Sequence, residues 1–470
     1  MLTKINLSTP LLATALLLAI SGCGGGGTST SQPPTPPTPP PPPAIHNEWN
    51  WQGGSTSVNQ LPNYGTLGMA VPANTPGGRY GALSWTDSAG NFWLFGGLDY
   101  ESSGVDPNYL NDVWKYSNGQ WTWMGGSSSP KAAGVYGTLG VPAAGNTPGA
   151  RNGAASWKDS SGALWLFGGE GEDSTGLHSG GLLNDLWKYS SGEWTWMGGP
   201  SDEDSSGLYG IYGTLGIPSA TNLPGPRTYP VSWTDTSGNL WLFGGVGFDS
   251  KGAQGILSDL WKYDGGQWAW MAGSSLVNDA GSYGAAGDPN NRPGARYQSS
   301  GWIDADGSLW LFGGTIPGSE NFINDLWKYS KGQWTFVGGS NQPNIKGVYG
   351  TQGAADAKNQ PGSRSVPITW IDTAGDFWLF GGFGVDSAGK VGDLDDLWKY
   401  HNGEWSWVSG SDQADPTETY GTQGVPAQSN SPGGGRGLAA SWVDSSGNFW
   451  LYGGVKQPED YLGDLWKYQP

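Results

Sequence analysis

The sequence has few of the residue types on which several protein classes depend. It contains a single cysteine, so no disulfide can form within one chain. Charged residues make up only 13% of the chain, and 22 Lys and Arg against 40 Asp and Glu give a net charge of -18. This balance excludes nucleic acids and anionic lipid surfaces as partners, since either would require a basic face. Histidine occurs three times, with no pair at zinc spacing, and neither a G-x-S-x-G elbow nor a P-loop is present.

Helical periodicity is also missing after the first twenty residues, whereas Gly reaches 83 and Trp 29. This composition favours many short, tightly turned, aromatic-rich strands. At 470 residues the chain has room for several domains, but a single repeat array can use the whole length.

The N-terminus has the features of an export signal. Lys4 gives a positive start, and the apolar run over residues 11–20 is too short to span a bilayer. The run ends in Ile-Ser-Gly-Cys, which resembles the bacterial lipobox, where the peptide is cut before the cysteine and the thiol is acylated. We therefore expect a signal peptide at residues 1–22 and lipidation of Cys23. Gly24 follows where an Asp often signals inner-membrane retention, which implies placement at the outer membrane or the cell surface.

A Gly/Pro-rich linker follows at residues 23–43 and is expected to extend as polyproline II. It holds the remaining residues, 44–470, away from the membrane, so that attachment depends on the lipid alone. We expect residues 44–470 to form one folded array and the protein to be a monomer.

The array consists of six copies of one pattern, with a period of about seventy residues. Each copy begins at an arginine: Arg79, Arg151, Arg227, Arg296, Arg364 and Arg436. A glycine pair after an apolar strand begins in each copy at Gly96, Gly168, Gly244, Gly313, Gly381 and Gly453.

Each copy contains four predicted strands. Strand a ends in Trp and a D-x-x-G turn, strand b is W-L-F-G-G, strand c is L-W-K-Y and strand d is W-x-W. The chain stops after a strand c, whereas residues 48–51 have the strand d pattern without a strand c before them. We predict that this N-terminal strand d completes the sixth copy and closes a ring, which removes exposed edges.

The repeats resemble the kelch family, with the glycine pair, Asn-Asp, an aromatic pair and a Trp in the last strand, over about nine tenths of the chain. The resemblance implies an all-β, six-bladed β-propeller like the central domain of galactose oxidase. The period is longer than usual because a segment between strands d and a carries Y-G-T-x-G or a variant of it. All 29 Trp fall on repeat positions, which favours a structural role over free platforms for sugar stacking.

Candidate binding residues lie between strands b and c. In a four-strand antiparallel blade the a–b and c–d turns share one side, here called the plain face, and the long b–c and d–a connections share the other, called the loop face. Variable loops are the usual place for recognition. The candidates are Asp99, Glu101, Asp106, Glu170, Glu172, Asp173, His178, Asp249, Asp386, Asp393, Glu459 and Asp460.

These acids fit solvated loops, although a divalent cation or a hydroxyl-rich partner stays open. No spacing among them is diagnostic of a metal site, so we expect no cofactor, with calcium as the one alternative. The D-x-D-G at Asp304 and Asp306 lacks the rest of an EF-hand loop and is predicted to be a turn.

The six repeat arginines have two interpretations. If strand a is innermost, they form a ring of positive charge around the channel mouth that would suit an anionic ligand. Each copy also has an Asp before strand c, so six structural Arg–Asp pairs are the favoured interpretation. These aspartates are Asp112, Asp185, Asp259, Asp325, Asp396 and Asp464.

The kelch resemblance also raises two enzyme activities. Galactose oxidase-like copper chemistry needs a Tyr–Cys cross-link and His ligands, which Cys23, His46, His178 and His401 do not supply in this pattern. A sialic acid mutarotase-like activity would suit a channel mouth rich in Arg and acids, but no motif indicates it.

Three functions therefore stay open: a protein-interaction module of the cell envelope, a glycan-binding module and a carbohydrate-active enzyme. Binding through the loop face is preferred over catalysis, because no catalytic motif is present and fold alone decides nothing.

Overall fold

Six antiparallel sheets follow one another along the chain. The computed structural model describes residues 47–100, 107–177, 180–202, 209–285, 287–456 and 459–470. The predicted signal peptide, Cys23, the linker, His46 and the candidates Glu101, Asp106 and His178 lie outside the described residues. Within the described part of the chain there is no helix with the length and apolar character needed to cross a membrane.

Each sheet is one blade with four main strands, labelled a to d in the order of the repeat. Strand a of blades 1 to 6 covers Leu83–Thr86, Ala155–Lys158, Val231–Thr234, Ser300–Ile303, Ile368–Ile371 and Ala440–Val443. Strand b covers Phe92–Asp99, Leu164–Gly171, Leu240–Phe248, Leu309–Thr315, Phe377–Val385 and Phe449–Tyr452. Strand c covers Asn108–Ser117, Gly181–Ser190, Gln254–Asp264, Phe322–Ser330, Val391–His401 and Gly463–Gln469. Strand d covers Gln120–Gly125, Glu193–Gly198, Gln267–Ala272, Gln333–Gly338, Glu404–Ser409 and, for blade 6, Glu48–Ser55.

Shorter strands extend these sheets. In four blades a two-residue strand before strand a pairs with the end of strand b: Arg79–Tyr80, Arg151–Asn152, Arg227–Thr228 and Arg364–Ser365. Ala355–Asp356 pairs with strand d of blade 5, and Val455–Lys456 pairs with Asp460–Tyr461 in the b–c hairpin of blade 6.

The six blades close into a ring. The a strands of successive blades lie side by side, and strand a of blade 6 contacts that of blade 1. There the Ser84 hydroxyl donates to the Ser441 carbonyl at 3.0 Å. In blade 6 the N-terminal strand d pairs with strand c at the other end of the chain, with Trp49 opposite Tyr468 and Trp51 opposite Trp466. The predicted all-β, six-bladed propeller, closed by an N-terminal strand d, is confirmed.

Apolar residues from adjacent blades form the hydrophobic cores. Between blades 2 and 3, for example, Trp157 and Phe167 pack with Leu242 and Trp261. The strand a tryptophan also donates to the backbone of the next blade, as from Trp157 Nε1 to the Trp241 carbonyl at 2.8 Å. All 29 Trp are buried or half-buried, so they hold blades together and leave no exposed platform.

A buried ion pair lies in every blade at the loop-face end. In blade 2 the Arg151 guanidinium donates to both oxygens of Asp185, at 2.6 and 2.9 Å. The same carboxylate accepts Trp187 Nε1 at 2.7 Å and the Tyr136 hydroxyl at 2.6 Å. Equivalent Arg–Asp pairs, each with an Nη1–Oδ1 distance between 2.5 and 2.7 Å, are Arg79–Asp112, Arg227–Asp259, Arg296–Asp325, Arg364–Asp396 and Arg436–Asp464.

The glycine pair of each repeat makes room for this ion pair. Arg151 Nη1 also donates to the Gly168 carbonyl at 2.9 Å, where strand b bulges and its register with strand c shifts. Gly168 has φ +66°, and a Cβ there would lie 2.7 Å from the Leu183 carbonyl oxygen. Only glycine therefore fits a backbone that bends so closely around the guanidinium.

The d–a connections were expected to add diversity to the loop face, but they follow the outer edge of the blade that comes after them. In the connection before blade 2, Gly140 N–H donates to the Trp196 carbonyl at 2.8 Å, and Asn146 Nδ2 donates to the Trp194 carbonyl at 3.1 Å. These bonds occupy the free edge of strand d, which would otherwise be open to other strands. The Y-G-T-x-G segments are thus structural, and Tyr136 ties this one to Asp185.

We predict that single loss of a buried partner is more costly than loss of both. Asp185→Leu should lower the free energy of unfolding by about 3 to 5 kcal/mol, because Arg151 is left as an uncompensated buried charge. The double variant Arg151→Leu with Asp185→Leu should recover part of that loss in urea denaturation. Asp264→Asn is the matched control, since its exposed pair with Lys262 should be worth less than about 1 kcal/mol. Equal costs for Asp185→Leu and Asp264→Asn would contradict this prediction, and so would a double variant that is no more stable than Asp185→Leu.

Candidate functional site

Three of the predicted binding acids stabilise the tips of b–c hairpins. Asp249, 2% exposed, accepts the N–H groups of Lys251 and Ala253 at 2.8 and 3.0 Å on one oxygen. Asp386 makes the same contacts in blade 5, and Asp173 accepts the N–H of Thr175 at 2.7 Å. Burial raises the pKa of Asp249 and Asp386, but the backbone N–H groups outweigh it, so that both pKa values are lowered. These carboxylates are engaged within their own hairpins.

The other described acids are not brought together as one group. Asp99 is buried at the end of strand b in blade 1, and Asp393 is buried in strand c of blade 5. Asp460 faces Lys456 in the blade 6 hairpin, beside the exposed Glu459. Glu170 and Glu172 lie at the end of strand b in blade 2, and both are near Tyr109, one of the tyrosines described below.

The repeat arginines do not form an exposed ring of positive charge. All six side chains are at most 1% exposed, and each is held by its aspartate and by backbone carbonyls. The six Arg–Asp pairs are present, so no anionic ligand can be held by these guanidinium groups without breaking a buried pair.

The residue after each repeat arginine lies on the opposite side of its strand from the arginine, because successive side chains of a strand alternate between the two faces of the sheet. The Thr228 hydroxyl, for example, donates to the Gly153 carbonyl of the preceding blade at 3.4 Å. The ring of Tyr80 packs against that of Tyr461 in the neighbouring blade, with centroids 5.1 Å apart. We call the loop-face end of the axis, where the six residues at this position lie, the mouth; they are Tyr80, Asn152, Thr228, Tyr297, Ser365 and Gly437.

The next position forms a backbone ring around the axis. All six of its residues have positive φ: Gly81, Gly153, Tyr229, Gln298, Val366 and Leu438. Five N–H groups donate to the carbonyl of the preceding residue around the ring, at 2.7 to 3.2 Å. On the plain-face side of this ring the channel widens into a depression of about 220 Å³, lined by the first residues of strand a. The ring therefore forms the floor of the mouth on the loop face.

Tyr229 is the one aromatic residue of this ring. It shares a positive φ, here +53°, with three other residues that are not glycine, Gln298, Val366 and Leu438, so the backbone conformation belongs to the ring as a whole. Its hydroxyl lies within electrostatic reach of Tyr80, Glu170 and Tyr109, and next to the Asn152 amide. Its hydroxyl is thus buried among groups from blades 1 and 2.

Four tyrosines and a glutamate meet at the mouth and form what we call the axial tyrosine cluster: Tyr80, Tyr109, Tyr229, Tyr461 and Glu170. They come from blades 1, 2 and 6 and from the start of blade 3. The Tyr109 hydroxyl donates to Glu170 Oε1 at 2.8 Å. The cluster therefore joins parts of the chain that are remote in sequence at one point on the axis.

The tyrosine hydroxyls of the cluster stay protonated. Burial raises the pKa of Tyr109, and the charge of Glu170 raises it further. Burial likewise raises the pKa of Tyr80 and of Tyr229, again with a contribution from Glu170. Each hydroxyl is consequently protonated at neutral pH and can donate one hydrogen bond, which in Tyr109 goes to the carboxylate of Glu170.

Two buried oxygen atoms near the cluster accept no hydrogen bond. These are Asn152 Oδ1 and Glu172 Oε1, in side chains that are each 2% exposed. Asn152 is adjacent to Tyr229, and the charge of Glu172 acts on Tyr109. Both atoms can accept a further hydrogen bond, as can the Oδ1 atoms of Asn74, Asn222, Asn291 and Asn430 elsewhere in the described residues.

No metal site accompanies the cluster in the described part of the chain, where no group of three or more His, Cys, Asp or Glu is placed to hold an ion. The D-x-D-G segment is a turn: Asp304 accepts Ser308 N–H at 2.8 Å and Trp310 Nε1 at 2.9 Å. His401 lies on the plain face beside Asp376.

The tyrosines of the cluster are not among the residues predicted from the sequence, because the predicted candidates are acids of the long b–c connections. The available signal was positional: Tyr80 and Asn152 directly follow a repeat arginine, and Tyr229 lies two residues after one. Glu170 was predicted, and it is the candidate that the structure places in the cluster.

Comparison with known proteins adds little to this geometry. No protein-family model matches the sequence, and no curated protein matches it. Among solved structures, one titled "Structure of YjhT" is similar, with 14% sequence identity and a TM-score of 0.48, over 83% of this chain and 95% of that chain. A similarity this distant carries no information on ligand or activity, and the six blades rest on the sheets described above.

One carboxyl with a strongly raised pKa lies away from the cluster. Burial raises the pKa of Asp395 to about 6, although it accepts Ser411 N–H at 2.7 Å and the Ser431 hydroxyl at 2.9 Å. Three other blades have Asn at this position: Asn111, Asn184 and Asn324. Its shifted pKa is a cost of burying a carboxylate where the repeat prefers an amide.

We predict that Asp395→Asn stabilises the protein at neutral pH. Because the folded pKa of about 6 exceeds the ordinary 3.8, the wild type loses stability as pH rises from about 4 to about 6. The variant should therefore be more stable at pH 7.5 by an amount on the order of 3 kcal/mol, with a difference that shrinks toward pH 4. Urea denaturation across this pH range measures it. The reverse change Asn184→Asp should introduce the same pH dependence in blade 2, and a less stable Asp395→Asn at pH 7.5 would contradict the explanation.

Proposed function

We propose that this protein is an exported, lipid-anchored kelch propeller that acts as a binding module of the cell envelope, with the axial tyrosine cluster as the centre of its site. The observation that carries the proposal is the meeting of Tyr80, Tyr109, Tyr229 and Glu170 at the mouth, beside two buried acceptors without donors. A few polar groups that converge among aromatic side chains are typical of ligand sites.

The chemistry of the cluster supports a hydroxyl-rich ligand such as a glycan. Tyrosine rings give apolar faces for a sugar ring, and their hydroxyls donate to sugar oxygens. Glu170, Glu172 and Asn152 supply acceptors for sugar hydroxyls. A glycan is therefore preferred over a large protein partner, because the d–a connections cover blade edges and do not widen the loop face.

The cellular setting of the proposal depends on the N-terminus. Acylation of Cys23 would attach the chain to the membrane, and the linker at residues 23–43 would let the propeller reach ligands beyond the bilayer. The outer membrane or cell surface is the proposed location.

The site is tested by binding of sugars to the detergent-solubilised full chain. The panel contains glucose, galactose, glucosamine, galactosamine and glucuronate, and a bound sugar should raise the melting temperature by linkage. Tyr229→Phe and Glu170→Gln should each weaken Kd by about tenfold or more for a sugar that binds, since each removes a hydrogen bond at the site.

Two matched changes serve as controls for these variants. Tyr209→Phe alters an exposed tyrosine in a d–a connection, and Glu404→Gln alters an exposed acid at a plain-face turn. Both should leave affinity unchanged. If no member of the panel binds, or if the controls weaken binding as much as the cluster variants, the proposed function is wrong.

The anchor is tested separately. Cys23→Ser should abolish incorporation of labelled palmitate in a bacterial host and move the protein from the membrane fraction to the soluble fraction. Gly24→Asp is the matched control, because it leaves the acylated thiol in place and should keep the protein on a membrane. Membrane attachment of Cys23→Ser equal to the wild type would refute the lipid anchor.

A further inference from the structure

The charge distribution at the mouth indicates the class of sugar. We propose that the axial tyrosine cluster selects a ligand that carries an ammonium group as well as hydroxyls, that is, an amino sugar with a free amine, over sugar acids. This inference rests on the proposed function, since it assigns a ligand class to the same site.

The arginines and lysines around the mouth are paired with acidic side chains. All six repeat arginines are paired with buried aspartates, and Arg292 is paired with Asp279 at 3.1 Å. The lysines of the b–c hairpins also have acidic neighbours. Lys390 Nζ lies 2.6 Å from Asp415, Lys456 Nζ lies 2.8 Å from Glu418, and the charge of Lys251 acts on Asp249. An anionic sugar would have to compete with an existing carboxylate for any of these groups.

Carboxylates, in contrast, act on the cluster from several elements. Glu170 accepts the hydroxyl of Tyr109, and Glu172 acts on the same tyrosine from the end of the blade 2 hairpin strand. Glu459 acts on Tyr80 and Tyr461 from the blade 6 hairpin. Four neutral tyrosines cannot offset this negative charge, so a ligand carboxylate would meet like charge in a partly desolvated place.

The unsatisfied atoms at the mouth are acceptors and not donors. Asn152 Oδ1 and Glu172 Oε1 are both buried and receive no hydrogen bond. An ammonium group supplies three donors and a positive charge, whereas a carboxylate supplies only acceptors. The same ring hydroxyls can pair with the tyrosines in either case, so the amine is the group that distinguishes the preferred ligand.

The test compares four sugars of equal ring geometry on the full chain by calorimetry at pH 6.5 in low salt: glucosamine, N-acetylglucosamine, glucose and glucuronate. Glucosamine should bind at least tenfold tighter than N-acetylglucosamine and glucose, and glucuronate should bind weakest. The same order is expected for the galactose-derived series if the site prefers that stereochemistry, so both series are measured.

A charge-neutral substitution then identifies the acids responsible. Glu172→Gln should reduce the preference for glucosamine over glucose by at least threefold while its affinity for glucose is retained, whereas Glu404→Gln should leave the preference as it is. Addition of 0.5 M salt should weaken glucosamine more than glucose, because only the amine contributes a charge.

Each outcome bears on a different claim. Glucuronate binding as tightly as glucosamine, or equal affinity for glucosamine and its N-acetyl form, would overturn the ligand class and leave a sugar site in place. Loss of binding for every sugar tested would overturn the proposed function and this inference with it. Retention of the full preference in Glu172→Gln and Glu170→Gln would show that these acids do not select the amine.

Discussion

The buried Arg–Asp pair is the interaction on which the other repeated features of this propeller depend. It requires the glycine pair, because strand b must bulge toward the guanidinium, and it requires the Tyr and Trp that donate to the same carboxylate. A buried ion pair contributes little net stability by itself, since desolvation offsets most of the attraction. Its value here is geometric. In every blade the Arg–Asp pair fixes the positions of four parts of the chain: the start of strand a, the end of strand b, strand c and the preceding d–a connection.

The same Arg–Asp pair also limits where a binding site can lie. Because each arginine and its aspartate neutralise one another inside the blade, the repeated residues contribute almost no charge to the axis. The blades differ from one another in the residues at the two positions after the arginine, which lie at the mouth and in the ring beneath it. Blades 1 to 3 have Tyr80, Asn152 and Tyr229 there, next to Tyr109 of blade 1, Glu170 of blade 2 and Tyr461 from the blade 6 hairpin. A sixfold scaffold thus carries an asymmetric site.

The fold could be predicted from the sequence and the site could not, for a physical reason. The repeat spacing, the strand c without a strand d at the end of the chain and the W-x-W at residues 48–51 define the ring. Asp249 and Asp386 lie in variable loops, where acids suggest binding, but each precedes Ser-x-Gly, a turn sequence whose backbone N–H groups bind the carboxylate. The contact of Tyr80 with Tyr461 depends on ring closure and bulge geometry, which no local pattern contains.

The split sixth blade also has a consequence for how the chain folds. Asn47 and Tyr468, which are bonded to each other at 3.2 Å, are 421 residues apart, so the first strand made is paired with the last. Until residues 463–469 have been synthesised, the strand at Glu48–Ser55 has no strand to pair with, and the order in which local blades form cannot complete the ring. Ring closure therefore waits for these residues. A truncated product would expose an open blade edge, which makes incomplete chains recognisable targets for the quality control of the cell.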